Sequence, residues 1–476
     1  MLRRLLPVLL AAAWLPACQP EAGRRGATVL FASGADLQSI NPLLTQHPLA
    51  RQVQRYVLLT TLVRYDSALA VAPYLAREWR WSRDRRTLTF FLQRGVPWHD
   101  GEPTTARDVL WTLTAARDPA TGYPRLTDLQ PIASLAAPDD STVVIGFTRT
   151  QERIPDVLTD LAVLPAHLLD TVPPGLMRQA AWNARPVGNG PFRFVAHEPN
   201  RRWVFAADRS FPVAMGGPPR LDRLIVVVVD EPTTKLAALT SGELDFAGIQ
   251  PAHAAFVRQD RALEVRTFPL FLTYGIVLNT RRAPFHDLAV RRSVSAAIDR
   301  REIVEGYLYG FGTPAAGPVP PGVPGYLPVP EPPASAVPVV AGRAVRFELL
   351  TVGSGEAPLE QMVQARLAAA GFTVVIRQLE LSTFLARVYG PERDFDAAVL
   401  GISGDLGLGY LTSLAETAGL EAPKDPAAAQ RFFADSAPVA FLYHAAGLQG
   451  ANRRVKGVEM DLRGELPSVQ RWRVTP

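Results

Sequence analysis

Few of the 476 residues are placed to do chemistry, and the most pointed is Cys18, the only cysteine. It follows Arg3, Arg4 and an apolar run from Leu5 to Trp14 that closes on Leu15-Pro16-Ala17. This is the basic, apolar and small-residue order of a secretory signal, in a stretch too short to persist as a bilayer-spanning helix. A thiol at the cut point with no second cysteine cannot form an internal disulfide, so the expected chemistry is acylation of Cys18. The seven histidines (His47, His99, His167, His197, His253, His286 and His444) are scattered, and none pairs with another at metal-ligand spacing. In Trp98-His99-Asp100-Gly101 a carboxylate adjoins an imidazole, which could orient and charge it for proton transfer. Asp100-Gly101 reads more simply as a tight turn after a strand. No Gly-x-Ser-x-Gly elbow, His-Glu-x-x-His helix or Walker loop occurs. The residues argue against an enzyme, and they supply no metal site and no cofactor site.

The elements around these residues read as alternating strands and helices. Thr87 to Leu92 places Leu88, Phe90 and Leu92 on one face, a half-buried strand. Thr105-Ala-Arg-Asp108 is a capping box that opens a helix through Val109, Leu113 and Ala116. Leu224 to Val229 is continuously apolar and predicts a strand covered on both faces. A strand from Val345 to Leu350, a helix striped by Leu359, Met362, Val363 and Leu367, and a strand from Phe372 to Ile376 form a βαβ unit with parallel pairing. Gly312 to Pro338 is rich in proline and glycine and reads as a long surface connection. The composition, 47% hydrophobic and 20% charged, is globular and sufficient for a large core. A formal net charge of +5 is spread along the chain, without the basic, aromatic-interleaved block of a nucleic-acid binder.

Several motifs, in order, resemble one family. They begin with Ala72-Pro-Tyr-Leu-Ala76, Trp79, Ser82-Arg-Asp84, Leu88-Thr-Phe-Phe-Leu92 and Gly95-Val-Pro-Trp-His-Asp-Gly101. Further on come Pro186-Val-Gly-Asn-Gly-Pro-Phe192, Leu239-Thr-Ser-Gly-Glu-Leu-Asp245, and Asn279-Thr with Pro284-Phe, Asp287, Val290-Arg-Arg292, Ala297-Ile-Asp299 and Ile303. From about residue 28 to 460 the chain resembles the peptide/nickel class, family 5, of extracellular solute-binding proteins that serve bacterial ABC importers. Leu15, Ala17 and Cys18 likewise resemble the bacterial lipobox.

The resemblance implies an α/β, bilobal periplasmic-binding-protein fold of type II with an extra domain appended to the first lobe. Residues 1–17 would be the lipoprotein signal and 18–26 a tether. Residues 27–57, 183–268 and 446–476 would make lobe one, 58–182 its appended domain, and 269–445 lobe two. The implied protein is a monomer that binds a peptide or other small solute between the lobes. It would pass that solute to the transmembrane subunits of an ABC permease, anchored to the membrane by lipid on Cys18 at the periplasmic or extracytoplasmic face. It would need no cofactor and no nucleic acid. A surface lipoprotein that kept the fold but lost transport, acting as a sensor or chaperone-like module, is the alternative. The family aspartate that pairs with a ligand ammonium falls on Asp405, with Asn41 and Ser403 as further polar contacts by the family's cleft-lining loops. Here the chain departs from the family: Leu406-Gly-Leu-Gly409 replaces Tyr-Pro-Asp-Pro, and a long asparagine-rich insertion is absent, which shortens lobe two beside the cleft.

Overall fold

Two long strands organise the molecule. In the computed structural model, which describes residues 26–45, 47–330 and 345–475, Leu263–Leu278 pairs antiparallel with Val439–Asn452. The register runs from Leu263 opposite Asn452 to Val277 opposite Val439, and it shifts between Pro269 and Thr273. Proline has no N–H to give the ladder, so the break falls where the sequence cannot sustain pairing. One end of this pair is flanked by Phe246–Gly248, Thr28–Ser33 and Arg223–Val228, the other by Ala397–Ser403, Val345–Val352 and Phe372–Leu379. The long strands are thus shared by two lobes, and a single mixed sheet crosses between them.

Local signals formed the expected elements. Leu88, Phe90 and Leu92 are buried on one face of Thr87–Leu92, the second strand of a separate four-stranded antiparallel sheet. The helix Ala106–Arg117 opens with the Thr105 N–H donating to Asp108 Oδ2 at 2.8 Å. Asp287 Oδ1 accepts from the Ala289 N–H at 2.8 Å and starts the helix Leu288–Ala297, whose Val290 and Val294 are buried together with the following Ile298. Val345–Val352, the helix Pro358–Ala369 and Phe372–Leu379 are the parallel βαβ unit.

Two expectations are corrected. Leu224 to Val229 is not covered on both faces: Leu224 and Val226 are buried, while Ile225 and Val227 stay partly exposed. That second face, through Val227 and Val229, packs against a small cluster that includes Leu236 and Leu239 of the short helix Pro232–Thr240. The connection after Gly312 is not confined to the surface either. Gly312–Pro314 pairs with the second long strand, and Ala315, Val319 and Val323 enter the core of lobe two.

One continuous core joins Phe31, Phe205 and Trp472 to Phe90 and Val143 of the four-stranded sheet. Lobe two has a separate core on each face of its sheet, with Ile276, Val294 and Leu349 on one side and Val277, Leu350 and Phe395 on the other. The carboxyl-terminal tail is tied to lobe one by a bidentate pair in which Arg454 Nε and Nη2 reach the fully buried Asp245 at 2.6 and 2.7 Å. Gly188 and Gly190 have a steric reason: a Cβ on either would lie within 2.0 Å of Leu58 O or 2.6 Å of Leu58 C. Between them Asn189 Oδ1 accepts from the Thr60 N–H at 3.0 Å.

Candidate functional site

A cavity of about 560 Å³ lies between the lobes. One wall is built from Arg51 and Arg55, Arg125, and Asp160. Facing them from lobe two are Phe271, Gly404, Asp405 and Leu406, and Arg463 of the tail completes the rim. Helical spacing puts Arg51 of Pro48–Val53 and Arg55 of the following turn on one face, and Arg55 Nε donates to Arg51 O at 3.2 Å. Asp160 ends the short helix Val157–Asp160 and receives Arg51 Nη2 at 2.5 Å, Arg55 Nη1 at 2.6 Å and Arg125 Nη1 at 2.7 Å. Burial would raise the Asp160 carboxyl, but the guanidiniums of Arg55, Arg51 and Arg125 overcome it and hold it down at about 2.

The facing loop follows the strand Ala397–Ser403. The Gly404 N–H donates to Phe271 O at 2.9 Å, and the Leu408 N–H donates to Asp405 O at 3.2 Å. Among the described residues Asp405 Oδ1 accepts a single long bond, 3.4 Å, from the Gly409 N–H. Among the described residues no cation is paired with its carboxylate, which is exposed at the cleft. Across the gap Tyr65 Oη donates to Asp156 Oδ1 at 2.6 Å and Arg153 Nη2 reaches Asp156 Oδ2 at 3.1 Å. Arg463 is matched by Asp461 at 2.6 Å and donates to Tyr65 O at 3.1 Å.

The residues expected from sequence are not all gathered here. Asp405 lines the cavity, and the exposed Ser403 sits at the end of the strand leading to it. Asn41 is elsewhere: it is fully buried, its Nδ2 donates to Asn183 Oδ1 at 2.9 Å, and its Oδ1 accepts from the Leu43 N–H at 3.0 Å. Its amide is spent on holding the Asn41-Pro42 turn inside lobe one. Cys18 lies outside the described residues. The arginine wall was missed by sequence reasoning. Its only local signal is the four-residue spacing of Arg51 and Arg55.

His99 is pinned rather than poised. Its Nε2 lies 3.0 Å from Gly190 O and its Nδ1 accepts from the Gly188 N–H at 3.3 Å, so both ring nitrogens serve the backbone. Burial lowers its pKa and keeps it neutral. Asp100 pairs instead with His167 Nε2 at 2.9 Å, and Gly101, with φ +101°, closes the tight turn. Among the described residues no cluster of histidine and carboxylate groups could hold a metal ion, and no helix is long and apolar enough to cross a membrane.

Residues 70–413 match the model of the bacterial extracellular solute-binding proteins, family 5. A Brucella ovis protein named as an ABC transporter peptide-binding protein is 33% identical over 256 residues, 53% of this chain and 48% of the relative. The matched stretch is thus about half the length of that relative. A Pseudomonas aeruginosa protein named as a di/tripeptide-binding protein is 27% identical over 443 residues, 85% of this chain and 80% of the relative. The fold is also that of the oligopeptide-binding protein AppA of Bacillus subtilis, solved with a nonapeptide. There the TM-score is 0.76 at 20% identity, over 94% of this chain and 99% of the other. The substrate-binding protein CtaP of Listeria monocytogenes gives 0.83 at 18% identity, over 95% and 100%.

Proposed function

This chain belongs to the family 5 bacterial extracellular solute-binding proteins, and from that premise we propose that it captures a peptide or similar small solute between its lobes for an ABC importer. The observation that carries the reading is the interlobe cavity, about 560 Å³, with arginines on one wall and, on the other, Asp405, which has no cationic partner among the described residues. Ligand pockets at domain junctions of this size bury small molecules well, and a few convergent polar groups fix their orientation. The relatives' names point to peptides.

In this reading the protein works as a monomer without a cofactor. Residues 27–57, 183–268 and 446–476 act as one body, 58–182 as its appended domain, and 269–445 as the body that closes on it. The long strands Leu263–Leu278 and Val439–Asn452 serve as the hinge, as shared strands do in hinged closure. Asp405 takes the ligand's ammonium group, with Ser403 beside it. The chain is exported and held at the extracytoplasmic face by lipid on Cys18.

The test is mass spectrometry of ligand released from natively purified protein, with thermal scans against the same compounds. A bound ligand stabilises the folded state by mass action. Recovered peptides that raise the melting temperature uphold the reading. A protein that carries no solute and whose melting is unmoved by a peptide panel overturns it. Fractionation tests the anchor separately: Cys18→Ala should leave the membrane fraction or remain uncleaved, and identical processing and partitioning of both proteins would remove it.

A further inference from the structure

The two long strands leave a second cavity, of about 350 Å³, beside the break in their ladder. Pro269 lies opposite Ala446 and Thr273 opposite His444, so residues 270–272 of one strand face a single residue of the other. The excess chain must bow out of the ladder. Gly312–Pro314, paired with Tyr443 to Ala445, borders the same space. Phe268, Phe311 and Pro320 supply much of an apolar lining, and the cavity shares no lining residue with the one between the lobes. The Arg258 guanidinium lies 5.2 Å from the Phe311 ring centroid and steadies that wall.

No carboxylate, lysine or arginine lines the cavity. Its polar side chains are Thr267 and Thr313, both exposed, and the buried His444. His444 Nδ1 lies 2.8 Å from Thr273 Oγ1, and that hydroxyl donates to Pro318 O at 3.2 Å. A hydroxyl has one proton to give. Both bonds are made together only when Nδ1–H donates to Thr273 Oγ1, which leaves Nε2 an acceptor. Burial pushes the His444 pKa down to about 4, so at neutral pH the ring carries a single proton. Nε2 has no partner among the described residues, and it is not sealed from solvent. An acceptor set in an apolar wall favours an occupant that brings its own donor.

We propose that this cavity is a second binding site, for a small aromatic alcohol whose ring packs against Phe268, Phe311 and Pro320 and whose hydroxyl donates to His444 Nε2. A volume of about 350 Å³ with one fixed polar group suits a ligand of that size. The uncharged lining disfavours an amino acid or peptide, whose charged ends would lose water and find no partner. The site thus differs from the interlobe cavity in chemistry as well as in lining.

The probes are phenol, its methyl ether anisole, and toluene, offered to the full chain in calorimetry and in nitrogen NMR of the histidine rings. Phenol should bind at least about tenfold more tightly than anisole, the scale of one hydrogen bond in an apolar site. It should also shift the His444 Nε2 resonance, which anisole leaves unmoved. His444→Asn keeps a donor near the Nδ1 position and lacks Nε2, so it should bring phenol down to the affinity of anisole. Ala446→Leu fills the cavity from its half-buried wall and should weaken all three probes. Melting curves check that both variants fold. A phenol preference that survives His444→Asn overturns the proposal, as does probe binding untouched by Ala446→Leu. Phenol that binds wild type no better than anisole, or leaves the His444 ring unmoved, overturns it whatever the variants do.

Discussion

Arg153 donates from Nη1 to the carbonyl oxygen of Leu406 at 3.1 Å, although 253 residues separate them in the chain. The bond joins the loop before Val157–Asp160 to the loop after Ala397–Ser403, so it crosses the mouth of the cavity from one lobe to the other. It ties the two sides of the cleft together in this structure.

Removing it should act on closure more than on folding. Arg153 is half exposed and its pairs are screened. Arg153→Ala should speed ligand release by about threefold, the scale of an exposed polar contact, with an unliganded melting temperature unchanged. Stopped-flow release measured against thermal scans separates the two effects. A lowered melting temperature with unaltered release would make Arg153 a folding contact.

Asp405 should matter to ligand and not to the fold. Its carboxylate has no cationic partner among the described residues, so nothing structural is lost by neutralising it. Asp405→Asn should weaken binding of an amine-bearing ligand by at least about tenfold and leave unliganded melting nearly unmoved. Calorimetry with the released ligand checks this, and equal affinity in the two proteins would remove Asp405 from the site.

Asp160 should give a stability dependence at low pH. Its folded pKa, about 2, lies below the ordinary 3.8, so its stabilisation is complete above about pH 4. As pH falls toward 2 that stabilisation, about 2 kcal/mol, is lost. Denaturant unfolding of wild type and Asp160→Asn between pH 5 and 2 should show a steeper loss of stability in wild type than in the variant, whose remaining slope comes from other depressed carboxylates such as Asp36. Asp160→Ala leaves three guanidiniums without their shared carboxylate and should cost about 3–5 kcal/mol at neutral pH.

His444 should act in a different window. It lies on the second long strand, nearly fully buried, with Nδ1 2.8 Å from Thr273 Oγ1. Burial pushes its pKa down from 6.5 to about 4, which favours the neutral ring in the folded state. Stability is therefore complete above about pH 6.5 and falls as pH drops from there to about 4, by about 3 kcal/mol. His444→Gln should flatten this limb and leave the lower Asp160 limb in place. An unaltered slope between pH 6.5 and 4 in the variant would assign it to other groups.

Much of the scaffold was legible because its causes are local. The alternation of Leu88, Phe90 and Leu92, the Thr105–Asp108 box and the Asp287 cap each act within one turn or strand, where neighbours in sequence are neighbours in space. The family motifs that proved to be scaffold belong here too. Gly188 and Gly190 are required by the approach of Leu58, and Asp245 by Arg454. Leu224 to Val229 was misread for the same reason in reverse. An apolar run records what a strand can tolerate, and only the packed neighbours decide how much of each face is covered.

The sequence by itself determined most of the elements, the βαβ unit and the family to which the two-lobed fold belongs. Only the tertiary structure decided the site. Arg51, Arg125, Asp160, Asp405 and Arg463 come from five separate stretches, and in a chain whose 50 basic residues are nearly all arginine, no single one stands out. Asn41 shows the converse: a polar residue beside a cleft-lining loop in sequence, yet folded inward because its amide completes a turn and meets Asn183. Electrostatic complementarity is a property of distances between segments, and those distances are set when the strands Leu263–Leu278 and Val439–Asn452 pair and bring the two lobes face to face.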